Sequence, residues 1–389
     1  MGKFDMTKAE KLDFLNVCGM EHRLANLAEL ISVEIKPPEI LPQFANNHIH
    51  TTYSFSPYSP TAAVYFARDS GLETAGIMDH DTIGGAHEFR KAAEIAGISV
   101  TCGLECRVDM SETPLSGRRF NNPDQTGVAY MAVHSVMPNK IDYIQEKFAP
   151  LREKRNIRNK KMVKKMNEIF APYGISVDFE KDVIPVSMYQ HGGAVTERHL
   201  LWALVLKILE TVKVPDVAGL LRKIEISLSE SQSDKLCPEN INIRYDILAI
   251  LKGQFIKRIF LPASDELLTL KEMSVLSNES GAILCYSYLG DVGQSVTGDK
   301  LTEKYEDNFL DELFDLMRNE GVVGITYMPS RNTLEQIGKV QALTKKHGIT
   351  EISGEDINSP TQSFICEKLA APNFSHLVEA TWKLVERER

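Results

Sequence analysis

The chain reads as an α/β protein with a mainly parallel sheet or barrel, interrupted by a mostly helical insertion. Three observations predict this. Short apolar strand patterns alternate with helix patterns over residues 47–104, and that βαβα rhythm marks a parallel sheet. The rhythm breaks over about 140–275, where helical periodicity dominates, and it resumes over 282–353. At 389 residues the chain has sequence for two to three domains, or for one barrel with an insertion.

Residues 1–44 read as a helical arm. Leu12, Phe14, Leu15, Leu24, Leu27, Leu30 and Ile31 recur at helical spacing among charges. Lys36-Pro37-Pro38 ends the arm, because proline offers no amide donor and restricts the residue before it. A barrel-type unit follows over 45–140 and 275–389. Its strands are expected at 47–51, 74–78, 99–104, 282–286, 322–326 and 349–353, and its helices at 61–70, 86–96, 305–320, 332–347 and 376–387. Ser59-Pro60 precedes the first of these helices and Gly71 follows it, the usual punctuation of a helix start and stop. The insertion, 141–274, offers helix candidates at 151–170, 196–212 and 245–258.

Hydrophobic residues at 43% and charged residues at 25% are ordinary globular usage, which excludes disordered, collagen-like and disulfide-scaffold chains. Lys+Arg 44 against Asp+Glu 53 leaves a net charge of -9. Indiscriminate coating of nucleic acid is therefore disfavoured, unless a basic patch or bound cations reverse the local sign. The six cysteines form no C-x-x-C pair and read as free thiols of a reducing compartment, not as a zinc–thiolate site. No apolar run approaches the roughly 20 residues of a membrane span. Lys3, Asp5, Lys8, Glu10, Lys11 and Asp13 deny the amino terminus the apolar core of a secretory signal. A cytoplasmic protein with no membrane partner is expected.

Residues able to do chemistry gather at predicted strand ends. In Asn47-His48-Ile49-His50-Thr51 the histidines are two apart, so on a strand both imidazoles face one side. Imidazole is the commonest metal ligand near neutral pH. Alone, the pair fits two polar residues on an exposed strand face equally well. Met78-Asp79-His80-Asp81-Thr82, Gly103-Leu104-Glu105-Cys106 and Ser353-Gly354-Glu355-Asp356-Ile357-Asn358 likewise end predicted strands. The carboxyl ends of barrel strands are where active sites assemble. Imidazole and carboxylate without thiolate favour zinc, manganese or iron over a softer metal.

In order and spacing these motifs resemble the polymerase and histidinol phosphatase (PHP) superfamily of metal-dependent phosphoesterases. His48-x-His50, Asp79-His80-Asp81-Thr82, Glu105 and Asp356-x-Asn358 carry the match, which covers about 45–140 and 275–370. The resemblance implies a distorted seven-stranded β/α (TIM-like) barrel holding two divalent ions, with a third left open. It implies that His48, His50, Glu105 and Asp356 surround the first ion, and that Glu105 bridges to a second completed by two more histidines. His199, in Thr196-Glu197-Arg198-His199, is one candidate, against a plain helix-terminal role. His134, closing Tyr130-Met131-Ala132-Val133-His134, is the other, with Tyr130 as the alternative at that position.

Two departures from the family pattern fall together. Phe55 stands where a carboxylate or histidine usually follows the opening pair, and Asn358 replaces the usual closing histidine. Both missing groups would bind the third ion, leaving His80 as its sole expected protein ligand. A two-metal centre follows, with His80 and Asn358 free to hydrogen-bond substrate or water; a third ion on His80, Asn358 and phosphate is the opposite reading. Asp79 is read as orienting His80 or a helix start, and Asp81-Thr82 equally as a helix cap. Tyr286 is read as packing in preference to lending the site a phenol.

The activity implied is hydrolysis of a phosphate ester, on a small phosphorylated metabolite or nucleotide, by metal-activated water. Arg331 is the foremost candidate for a phosphate contact, followed by Arg198, with Arg118 and Arg119 also near predicted strand ends. Residues 152–165 hold eight basic residues and one acidic one, read as an exposed stripe opposite Ile157, Met162, Met166 and Ile169. A solvated face is the plainer account of that stripe; a guide for a polyanion is the other. A nuclease or phosphodiesterase on single-stranded nucleic acid competes with the phosphatase reading, as does a barrel that binds a ligand without turnover.

Overall fold

The computed structural model describes residues 6–291 and 304–389, so the first five residues of the expected arm lie outside it. The strands are β1 (Asn46–Ile49), β2 (Thr74–His80), β3 (Ser99–Asp109), β4 (Val128–His134), β5 (Leu268–Thr269), β6 (Ile283–Ser287), β7 (Gly324–Tyr327) and β8 (Thr350–Ser353). They form one sheet in the order β1-β2-β3-β4-β6-β7-β8, with the short β5 pairing beside the end of β3. The seven-strand path curls back on itself. The His50 amide donates to the Ile357 carbonyl at 3.1 Å, and the Ile357 amide to the His48 carbonyl at 3.1 Å, joining the segment after β8 to β1. This is the barrel the sequence predicted.

Local chemistry places the outer helices where periodicity did. Helix Pro60–Asp69 starts on Ser59, whose hydroxyl accepts the Ala62 amide, with proline in the first turn where no donor is missed. Helix Ala86–Ala96 stops at Gly97, whose φ of 71° suits a residue without Cβ. Helices Lys8–Leu15 and Met20–Ser32 of the arm cover these two. Arg23 locks them in place, its Nε donating to Glu88 Oε1 at 2.8 Å and its Nη2 to Oε2 at 2.5 Å, both residues buried.

One strand departs from the expected parallel rhythm. β4 runs antiparallel to both β3 and β6, with Glu105 opposite Ala132 and Arg107 opposite Tyr130. Residues 110–127 hold no helix; they turn back, the Met110 amide donating to the Gly127 carbonyl at 3.0 Å. A parallel return would need a crossover, usually a helix. The reversal sets Tyr130 toward the carboxyl end of β3 and His134 toward its amino end.

The insertion folds around its own apolar core, which includes Met162, Phe170, Leu201, Leu204, Ile247 and Leu251. Its first helix, Ile141–Phe170, begins ten residues earlier than expected and carries Pro150 inside. The helix expected over 245–258 is two, Ile243–Gln254 and Ile256–Ile259, and Val214–Lys223 is a further one. The basic stretch is turned differently from the sequence reading. Arg152, Arg155 and Arg158 are buried, whereas Ile157 is 59% exposed. A spacing of three puts these arginines on one face, and that face meets carboxylates from distant segments, Glu266 buried and Asp81 and Glu197 partly so, that no local pattern could reveal. Among the described residues, no helix is long and apolar enough to cross a membrane.

At the amino ends of the strands, Glu388 accepts the Cys102 amide at 2.8 Å and Arg90 at 3.2 Å. Burial pushes its carboxyl up to about 8, against the pull of the Cys102 amide and Arg90. A carboxyl raised in the folded state contributes stability that is whole below its unfolded value of 4.5 and is lost as pH rises through about 8. Glu388→Gln is therefore expected to remove that decline, so that its stability gains on the wild type between pH 5 and 8. Urea unfolding across that range checks it; parallel curves would refute it.

Candidate metal centre

His48 and His50 emerge from β1, whose four residues are all buried. The Asn46 side chain accepts the His48 amide at 2.9 Å and pins the strand end. Gly354 passes so close that a Cβ there would lie 2.6 Å from the His48 amide nitrogen, which explains a glycine just before the Asp356 segment. His80 ends β2, Glu105 lies within β3, and Asp356 follows β8. Four chain segments thus meet. His50 Nε2 is 3.1 Å from Asp356 Oδ1, His80 Nδ1 is 3.3 Å from Glu105 Oε2, and His48 Nε2 is 3.7 Å from the same oxygen. The His50 ring stacks on His80 at 4.6 Å and meets His48 edge-on at 5.0 Å. The ligand atoms of His48, His50 and Asp356 lie within 4.8 Å of one another, and so do those of His50, His80 and Glu105.

The electrostatics suit a cation. Burial pushes Glu105 up to about 7 despite His50 nearby. Burial pushes His48 down to about 4, and its Nε2 is buried with no hydrogen-bond partner. Burial opposes the charge on Asp356 too, but His50, His48 and Arg198 outweigh it and hold the carboxylate well below its usual range. Unpaired imidazole lone pairs beside desolvated carboxylates are costly alone and are satisfied by a divalent ion.

Asp79 orients His50, not the expected His80. It accepts the Thr51 amide at 2.7 Å and the Thr51 and Ser54 hydroxyls at 2.6 Å each. Ser54 spends its proton on that carboxylate, so at 3.2 Å its oxygen accepts from His50 Nδ1–H. The tautomer is then fixed with the Nε2 lone pair available for an ion, as a neighbour of a metal-binding histidine should arrange. Ser54→Ala is expected to weaken manganese or zinc binding about 10- to 100-fold with little change in unfolding temperature; unchanged affinity on calorimetric titration would count against this relay.

The remaining residues fall as follows. Asp81 has φ 54° and pairs with Arg155, so it caps no helix. Asn358 donates from Nδ2 to Asp356 Oδ1 at 2.6 Å, holding that carboxylate instead of standing free for substrate. Arg198 bears on Asp356 electrostatically, whereas Arg331 donates from Nε to the Leu289 carbonyl at 3.3 Å. Tyr286 is buried, its hydroxyl accepting the Asn121 amide at 3.2 Å, a packing and support role. Phe55, in a left-handed conformation at φ 94°, sets its ring edge-on to His199 at 5.2 Å. His134 and His199 are buried but belong to neither ligand group, and the Tyr130 ring is 5.9 Å from His80.

The sequence reading missed a buried ion-pair network beside the centre. Arg155 joins Asp81 to Glu197, Arg158 joins Glu197 (2.7 Å) to Glu266 (2.9 Å), and Arg107 reaches Glu266 at 2.5 Å. The spacing of three among Arg152, Arg155 and Arg158 was its sole local signal.

The curled β/α sheet brings imidazoles and carboxylates together at its strand ends, the arrangement of a barrel with a metal-binding mouth. Comparison agrees: residues 46–153 match the PHP domain family, as the motifs had implied. A 5'-3' exoribonuclease of Haemophilus influenzae is 40% identical over 58 residues, 15% of this chain; that match spans only 21% of the relative's length. Among solved structures, a candidate metal-dependent phosphoesterase of Bifidobacterium adolescentis is similar with TM-score 0.54 and 18% identity, covering 86% of this chain and 95% of that one. An amidohydrolase of Chromobacterium violaceum with bound sulfate gives 0.55 and 17%, covering 86% and 96%. At such identities these two establish shared fold and nothing more.

Proposed function

We propose that the protein hydrolyses a phosphate ester, on a small phosphorylated metabolite or nucleotide, with a divalent ion at the barrel mouth. The observation that carries this is the meeting of His48, His50, Glu105 and Asp356, with His80 beside them, from four segments of chain. Bound there, such an ion supplies Lewis acidity toward a phosphoryl oxygen and lowers the pKa of its water from 15.7 to about 7. The chain's own residues then do the positioning. Asp79 and Ser54 fix His50, Asn358 fixes Asp356, and Arg198 adds positive charge on the Asp356 side, where an anionic substrate benefits from it. Zinc, manganese and iron all suit the donor set.

A second reading has one observation in its favour, the short match to the exoribonuclease, and makes the substrate a single-stranded oligonucleotide. Phosphate release from a nucleotide panel, compared with shortening of single-stranded oligonucleotides, decides between them. We expect both the release and its loss on chelation with recovery on added manganese. Hydrolysis that survives exhaustive chelation would overturn the metal-dependent reading, and ligand binding without turnover of any ester would favour a non-catalytic barrel.

A further inference from the structure

The reversal of β4 brings to the barrel mouth a polar side chain that neither ligand cluster contains. Tyr130 stands opposite Arg107, and Ala132 opposite Glu105. Paired and alternate residues share a face, so the Tyr130 side chain lies on the Glu105 side of the sheet, two residues nearer the mouth. Its ring centroid is 5.9 Å from that of His80. Asn121, itself buried, holds the backbone at this point. Its side-chain oxygen accepts the Tyr130 amide at 2.7 Å, and its Nδ2 donates to the Tyr130 carbonyl at 2.8 Å. The same Nδ2 donates to the Ser287 carbonyl at 2.5 Å, which ties Tyr130 to the end of β6.

The backbone of Tyr130 is thus satisfied, but its hydroxyl makes no hydrogen bond among the described residues. Arg107, Glu197, Asp124 and Glu105 all bear on it electrostatically, so the slot is polar. The carboxylates nearby are engaged elsewhere. Glu197 bonds Arg158 at 2.7 Å and Arg155 at 2.6 Å, Asp124 faces Lys252 at 3.5 Å, and Glu105 faces His80 at 3.3 Å. A tyrosine places its polar tip on a partner or in water. Tyr130 is partly exposed and its hydroxyl is not sealed from the mouth. A phenol is protonated at neutral pH and offers one donor. The acceptor it fits is carried by whatever occupies the mouth, and an anionic oxygen makes that bond strongest.

We propose that the Tyr130 hydroxyl is a substrate-binding group, donating a hydrogen bond to a phosphoryl oxygen held at the metal centre beside His80 and Glu105. The inference deepens the phosphate-ester reading above and rests on it for the chemistry of the ligand. Tyr130→Phe deletes one oxygen and keeps the ring against His80, so unfolding temperature and manganese content after dialysis should match the wild type. Inorganic phosphate, titrated calorimetrically into manganese-loaded full-length protein, should bind the variant about 10- to 100-fold more weakly, the range that a hydrogen bond to a charged group spans. Equal phosphate affinity in the two proteins would overturn the proposal, and so would failure of the wild type to bind phosphate. Loss of manganese from the variant would make the phenol a metal ligand and overturn it too. Phosphate release from the nucleotide panel is assayed separately. Phosphate held through Tyr130 without turnover of any ester would sink the proposed activity and leave this assignment standing; turnover, with phosphate affinity unchanged in the variant, would do the reverse.

Discussion

Replacing His50 with alanine is expected to strip the protein of bound metal and, with it, of phosphate release. His50 is the one residue common to both ligand clusters, and its Nε2 faces Asp356 at 3.1 Å while its ring supports His80. Partners one step removed from a metal cost about 10- to 100-fold in affinity or activity when removed. Loss of a ligand itself should exceed 100-fold in both. The variant also removes the imidazole that pairs with Asp356 and bears on the buried Glu105. Metal content after dialysis and phosphate release at saturating manganese measure the two effects. Wild-type metal content with wild-type turnover would show that the ions, if any, sit elsewhere.

The second large effect is on stability. Glu197→Ala should destabilise the fold by about 3–5 kcal/mol, because breaking a buried ion pair strands a charge away from water. Glu197 bonds Arg155 at 2.6 Å and Arg158 at 2.7 Å, and lies 3.7 Å from Arg107. Those arginines come from the long insertion helix and from β3, so the loss is felt where the insertion meets the barrel. By contrast, the exposed pair of Lys207 with Glu210 is screened by solvent, and Glu210→Ala should change stability little. Urea midpoints for both variants make the comparison; equal midpoints would mean the network is solvated and its burial carries no energetic weight. Because the network stands beside the metal centre, with Arg155 bearing on His80, activity should fall in this variant as well.

Much of the architecture could be read from residue order alone. The alternation of strand and helix over 46–104 and 283–353 is local: each segment carries its own periodicity, cap and stop, and the observed limits differ by a few residues. The opening histidine pair, Glu105 and Asp356 could be nominated because imidazole and carboxylate at strand ends have few structural uses. Whether Tyr130 or His134 faces the mouth could not, since both stand on the same face of one strand, and direction decides which end is up. That direction came from the turn over 110–127, whose carbonyl and amide partners lie outside any short window. The arginines of the insertion helix were likewise misread as solvent-facing. Their carboxylate partners, Asp81, Glu197 and Glu266, are 39 to 108 positions away.

What residue order determined was the kind of chemistry: a set of nitrogen and oxygen donors on a repeating strand–helix frame, each dictated by short-range periodicity and side-chain type. What the tertiary structure alone decided was which donors still have a lone pair to give. That depends on single hydrogen bonds, such as the one between His50 and Ser54, and on where buried guanidiniums come to rest. A proton on one ring nitrogen or the other leaves no trace in a sequence, because it is set by which neighbour the folded chain brings within hydrogen-bond reach of that atom, as Ser54 is for His50.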